Sequence, residues 1–423
     1  MKRLQRCAAT LAAFGLLWLG VASAQAELPA QCSAVSLQYW NPFTGPDGPY
    51  MSRLVDRFNA EHADITVTMN TLPEYGTQLT TAAASGTLPD VAVIWADQVA
   101  TFAFRNVFRP MDHILEGMEL DASDFPEAVW AAGEVAGQRY AIPLDIHPLV
   151  MYYNADLLKE AGFDEPPMTR EAFEAAAEAM TGGRDYGFMI TTGFPIEQIF
   201  RSLLHQFGGS EFNEDGTEAA WNSEAGVRAL EWLRDAQQRF SEPNLEVDAE
   251  LNAFKAGGVG MIWNGIWQTT NVTGDAVMFD GRATAFPQIG ERPAVWAGSH
   301  QLALPVQANP DECRDAAVGV FITYLLDNSL EWARAGQIPA SNTVRASEEF
   351  LAIEPQASIA PSADAAIFPP SVPGITDAFA PLGEAVGSIL SGTATDIQQV
   401  LDDSVARANQ LLEQNRRTFG DTP

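Results

Sequence analysis

The chain has 423 residues and carries 24 lysines and arginines against 55 aspartates and glutamates, a formal charge of −31. A surface so acidic repels nucleic acid and anionic lipid, which excludes both as partners. The length suffices for two domains with sizeable cores.

Met1 to Ala26 opens with Lys2, Arg3 and Arg6, continues as an apolar run from Leu11 to Val21, and ends in Ala24-Gln25-Ala26. That order reads as a secretory signal removed after Ala26, because the apolar run is too short to span a bilayer comfortably. The signal holds three basic and no acidic residues, so the mature chain carries −34; high-salt habitat and plain solubility both fit such a surface. Cys32 follows Pro29-Ala30-Gln31, only a partial lipid-attachment box, so the mature protein is expected free in the periplasm. Cys7 leaves with the signal, and Cys32 and Cys313 remain as an even pair in an oxidising compartment.

Val35, Leu37 and Tyr39 alternate as a strand, and a Gly/Pro-rich loop follows from Asn41 to Pro49. Met51, Leu54, Val55 and Phe58 then repeat at helical spacing before Ile65, Val67 and Met69 alternate again. Strand, helix, strand in this order builds a parallel sheet. A helix over Tyr75 to Ser85 leads to Val91 to Trp95, a continuous apolar run expected of a strand buried on both faces. From Gly137 to Asn154 the chain reads as one extended run, with Asp145 and His147 between Pro143 and Pro148. The prolines exclude a helix and a central ladder position, so the polar pair is expected at a crossing between sheets. Asn154 caps a helix from Ala155 that ends at Gly162. Further helices are predicted over Arg170 to Met180, near Glu197 to Phe207, over Val227 to Phe240 and over Cys313 to Leu326, with strands at Phe188 to Thr191, Val259 to Trp263 and Gly298 to Leu304.

Several segments in order carry a likeness. They are Leu88-Pro89-Asp90 before Trp95-Ala96-Asp97, the Ile142-Pro143 to Tyr153-Asn154 crossing, the Gly260 to Trp267 turn, the Gly298 to Leu304 strand, and Ile338-Pro339-Ala340. In that order they resemble segments of bacterial extracellular solute-binding proteins of the carbohydrate type, the maltose-binding protein family. The resemblance covers nearly all the mature chain. It implies an α/β, two-lobed periplasmic-binding-protein fold, each lobe a mostly parallel sheet flanked by helices, joined by hinge crossings. The N-terminal lobe would comprise 27–146 plus 299–334 and the C-terminal lobe 147–298 plus 335–423. Cys32 and Cys313 would then lie in the same lobe, either linked as a disulfide or as two separate thiols.

Ligands of open α/β sheets bind beyond the carboxyl ends of strands. Trp40-Asn41, Trp95 to Asp97, Asp145 to His147 and Trp263 to Trp267 fall at such ends or crossings. A pyranose needs aromatic platforms for its C–H faces and planar polar groups for its hydroxyls. The expected ligand-binding set is therefore Trp40, Asn41, Trp95, Asp97, His147, Asn264, Trp267, Gly298, His300 and Phe379. Trp267 resembles the family's stacking tryptophan, and Phe379 falls where the family's late helix presents an aromatic. His147 replaces a carboxylate that the family often has near this crossing. Trp263, Trp232 and Trp332 are expected in the core.

The five histidines are scattered, none at i, i+4 and none with a cysteine at zinc spacing, so no metal site is expected. No nucleophile elbow, phosphate loop or dinucleotide fingerprint occurs, so neither catalytic residues nor cofactors are expected. The resemblance implies a monomeric periplasmic receptor of an ABC transporter, closing on a neutral mono- or oligosaccharide and delivering it to permease subunits in the inner membrane. Two alternatives stand beside it: a secreted carbohydrate-active enzyme, and a receptor for a glycerol-phosphate or polyol derivative.

Overall fold

The computed structural model describes residues 28–118, 120–182 and 186–420, so the expected signal lies outside them. In chain order the strands are β1 Val35–Asn41, β2 Ile65–Thr71, β3 Val91–Trp95, β4 Glu134–Val135, β5 Gln138–Arg139, β6 Ala141–Pro143 and β7 Asp145–Asn154. They continue as β8 Tyr186–Met189, β9 Val259–Gly265, β10 Gly281–Ala285, β11 Val295–Gly298, β12 His300–Ala303, β13 Ile338–Pro339 and β14 Ala366–Ile367. Two larger sheets form, with orders β2-β1-β3-β12-β6 and β14-β11-β7-β9-β8, while β10 and β13 also pair with β7.

The sequence alternation explains the first sheet. Leu37 and Tyr39 of β1 and Val91 and Val93 of β3 point into a core shared with the helix Gly48–Glu61, whose Met51, Leu54, Val55 and Phe58 are buried on one face. The helix Glu312–Asp327 covers the same core with Phe321, Ile322 and Leu325. Cys313, at its start, is bonded to Cys32 with Cα atoms 5.3 Å apart. The second sheet is covered by the helices Arg170–Met180, Ile196–Gln206 and Glu224–Phe240, and the C-terminal helix Ile397–Phe419 packs into the same core. Trp263, Trp232 and Trp332 are buried as expected.

One expectation needs correction: the sheets are mixed. β1 runs parallel to β2 and β3, but β12 is antiparallel to β3 and to β6. In the second sheet β7 is antiparallel to β9, β10, β11 and β13. The reason is the crossings. β6 belongs to the first sheet and β7 to the second, with only Leu144 between them; β11 belongs to the second and β12 to the first, with only Ser299 between them. Two strand runs thus pass from sheet to sheet in opposite directions. Pro148 also sits inside β7, opposite Ala297 of β11. Pairing with β9 starts only at Leu149, so the missing N–H falls where the ladder is one-sided.

Candidate functional site

Each sheet sends a central strand toward the other, and both end in the same local device. β3 ends at Trp95 and passes into a short 3₁₀ turn, Ala96–Gln98, while β9 ends at Gly265 and passes into the 3₁₀ turn Ile266–Gln268. These turns present Trp95, Asp97 and Gln98 from one side and Trp267 and Gln268 from the other to a cavity of about 490 Å³. The loop after β1 adds Phe43 and Asp47, and the crossing strands add His147, Trp296, Gly298 and His300.

Two glycines let rings lie on the backbone. A Cβ at Gly265 would stand 2.0 Å from the Trp267 ring, and one at Gly298 would stand 2.2 Å from Nε2 of His147. Both positions are close approaches that no side chain fits. Trp267 is half-buried, its ring edge-on to Trp296 at 6.4 Å and stacked near the exposed Phe194 at 6.0 Å.

Asp145 holds the crossings together. Its Oδ1 accepts from His147 Nδ1 at 3.0 Å and from the His300 backbone N–H at 2.9 Å; its Oδ2 accepts from His300 Nδ1 and Trp332 Nε1, both at 2.7 Å. Burial alone would raise its pKa, but the His300 charge and the hydrogen bonds from both rings outweigh it and hold the carboxyl well below the usual range. Burial, with His300 beside it, pushes His147 down to about 4, so its ring is neutral at pH 7. With Nδ1–H donated to Asp145, its acceptor is Nε2. The His147 and His300 rings stack with centroids 4.2 Å apart.

Asp145, His147 and His300 bring their ligand atoms within 4.8 Å of one another, a spacing that would also suit a cation. The donors settle the chemistry otherwise. The indole and backbone N–H groups point at the carboxylate, and both imidazoles spend Nδ1 on it, which makes the cluster a hydrogen-bond node.

Behind Asp97 lies a buried ion cluster. Arg201 bonds Glu211 through Nε at 2.6 Å and Nη2 at 3.2 Å, and Glu197 through Nη1 at 3.1 Å. Burial raises the Asp97 carboxyl despite the Arg201 field, and burial pushes Glu197 up to about 7. Asp47 is likewise raised by burial; its Oδ2 accepts from Gln337 Nε2 at 3.2 Å.

Six of the ten sequence-predicted site residues meet at the cavity: Trp95, Asp97, His147, Trp267, Gly298 and His300. Four do not line it. Asn41 is fully buried, its Oδ1 accepting from Phe43 N and Thr71 Oγ1, so it shapes the loop that carries Phe43 to the wall. Asn264 is turned to Glu250 and to the Gly265 amide. Trp40, like Trp95, packs against the buried cluster that contains Tyr75 and Leu79. Phe379 is core: it packs near Trp221 and carries the Arg201 guanidinium 3.7 Å above its ring. Sequence reasoning missed Trp296, although it shares a strand face with Gly298 two residues on, and missed Phe43 and Asp47, whose loop has no periodic signal.

A family model described as bacterial extracellular solute-binding protein matches residues 53–357. A putative binding protein of Brucella abortus is 26% identical over 229 residues, covering 52% of this chain and 55%, about half, of that protein's length. The sn-glycerol-3-phosphate-binding periplasmic protein of Pectobacterium atrosepticum is 24% identical, with 96% of each chain covered. Among solved structures, the ABC substrate-binding protein Lmo0181 from Listeria monocytogenes in complex with cycloalternan aligns at 22% identity with a TM-score of 0.77, covering 90% of this chain and 99% of that one.

Proposed function

As the chain belongs to the bacterial extracellular solute-binding protein family, we propose that it is the receptor of an ATP-driven importer, holding a sugar in the cavity between its two sheets. Delivery would be to permease subunits in the inner membrane, from a mature protein exported by a cleaved signal and acting as a monomer. No reaction is part of this reading. The lobe limits proposed are 27–146 plus 299–334 and 147–298 plus 335–423.

One observation carries the reading: Trp95, Trp267 and Trp296 face a cavity whose polar groups include Asp97, His147 and three glutamines. Aromatic faces suit pyranose C–H groups, and planar amide, carboxylate and imidazole groups suit the hydroxyl ring. A sugar accords with cycloalternan in the Listeria protein. Glycerol 3-phosphate, the ligand in the name of the Pectobacterium protein, accords less well, because no arginine or lysine among the described residues lines this cavity.

Isothermal calorimetry against mono- and oligosaccharides, with glycerol 3-phosphate in parallel and a check for product formation, tests the reading. At least one sugar should bind without being changed. Trp267→Ala should then cost about 2–4 kcal/mol of binding, the loss expected of a stacking hot spot. Binding of glycerol 3-phosphate alone, or turnover of a sugar, would replace the proposal.

A further inference from the structure

The acidic side chains on the cavity wall have no permanent cation among them. Asp47 and Asp97 line it, and no arginine or lysine among the described residues joins them. Asp47 is 6% exposed and is bonded to a neutral amide, Gln337. Asp97 makes no side-chain hydrogen bond or ion pair with any other described residue. The guanidinium whose field reaches Asp97, that of Arg201, is already held by Glu211 and Glu197 and stacked on Phe379. Asp97 and Asp47 therefore face the cavity with no arginine or lysine among the described residues on its wall, and the His300 ring, which opposes the rise of Asp47, is bonded to Asp145; such carboxyl groups are costly to ionise until a cation arrives.

The remaining wall is suited to a positive charge. Trp95, Trp267, Trp296, Phe43, Phe194 and Phe368 line the same space, and aromatic faces attract cations through their quadrupoles. His147, neutral and with its N–H committed to Asp145, offers Nε2 as an acceptor beside Gly298. The acidic surface, −31 over the chain, draws cations toward the molecule.

Resting on the sugar-receptor reading, we infer that the preferred ligand is an amine-bearing, cationic sugar, its ammonium held in the field of Asp97 and Asp47 and its ring on the tryptophan faces. Burial holds both carboxyl groups above their ordinary range, and a bound ammonium would reverse that shift by supplying the missing charge.

The test is calorimetry at neutral pH on matched probes: glucose with glucosamine, galactose with galactosamine, mannose with mannosamine, and cellobiose with the β-1,4-linked glucosamine disaccharide. N-acetylated forms control for bulk. In whichever pair binds, the amine should bind at least about tenfold more tightly than its neutral and N-acetylated counterparts. Asp97→Asn should cut that ratio to about threefold or less, and Asp47→Asn, made in parallel, should also lower it; melting curves confirm that each variant folds. Equal or tighter binding of the neutral sugar overturns the inference and leaves the receptor reading standing. A preference that survives both substitutions overturns the assignment to these carboxylates. If none of the probes binds, the inference and the sugar reading fall together.

Discussion

Glu250 is 1% exposed, Oε1 accepting from Asn264 Nδ2 at 3.1 Å while Oε2 has no partner among the described residues. Burial pushes its pKa up to about 7, whereas in the unfolded chain it titrates at about 4.3. The folded state thus binds the proton more tightly, so the stability lost to burying the charge is largest above pH 7 and recovers as pH falls from about 7 to about 4. Glu250→Gln removes the charge and keeps the shape. It should be more stable than the parent at pH 8 by on the order of 3 kcal/mol, with the advantage vanishing near pH 4. Denaturant melts of both proteins across that range decide it; a difference that does not change with pH would mean that Glu250 titrates alike in the folded and unfolded states. Such a residue is illegible in the sequence, where Glu250 is one of 55 acidic residues, because its surroundings come from the Asn264 side chain that folding turns away from the cavity. Trp95, Asp97 and Trp267 were legible for the opposite reason: each stands where an apolar run stops, and the chemistry of an open sheet lies at strand ends.

At the scale of the element, β7 does two things at once. Its first residues join the sheets, and its later ones, Leu149 to Tyr153, pair with β9 and pack the second core. Asp145 accepts four hydrogen bonds in a site with no exposure, from β7 itself, from β12 and from Trp332. Asp145→Ala leaves four donors without an acceptor and should lower stability by about 3–5 kcal/mol, the usual cost of breaking a buried charged network. Equilibrium unfolding in urea measures this, and a loss below about 1 kcal/mol would mean that water replaces the carboxylate. The crossing itself could be read from Pro143, Pro148 and the polar pair between them. The direction of pairing could not. Periodicity reports which face of a strand is buried and says nothing of the neighbour's direction, so mixed sheets were read as mostly parallel. Phe379 departs similarly: the resemblance places an aromatic on this helix but not the direction it faces, and the Arg201 charge above its ring has no sequence signal.

For the whole molecule, the connections between the sheets decide how far they can move. Leu144 and Ser299 each join one strand to the next with a single residue, and β13 lies against Ile146 and Asp145 at the same place. Away from these crossings, the proposed lobes also meet through a Gly374 N–H donated to Thr101 Oγ1 at 2.8 Å, and through Phe419, whose ring lies 6.5 Å from that of Phe104 and 5.5 Å from the Arg105 guanidinium. Each such contact contributes about 1 kcal/mol at most, the same order as the conformational freedom that a residue regains when the surfaces part, so these contacts do not by themselves lock the lobes together without ligand. A ligand of micromolar affinity contributes about 8 kcal/mol, and one bridging Trp95 and Trp267 draws on both lobes, which makes the closed form the favoured one when it is bound. The expectation is a two-state hinge: an open population without ligand and a closed one at saturation. Small-angle scattering with and without a sugar shown to bind by calorimetry should record a smaller radius of gyration in the complex. If the radius stays the same while binding is saturated, the contacts of Thr101, Phe104 and Arg105 with Gly374 and Phe419, together with those of Asp47 with Gln337 and of Asp124 with Ser341 and Thr343, already hold the lobes together, and ligand must enter by local movement near Phe194, a residue at the cavity edge that is 51% exposed.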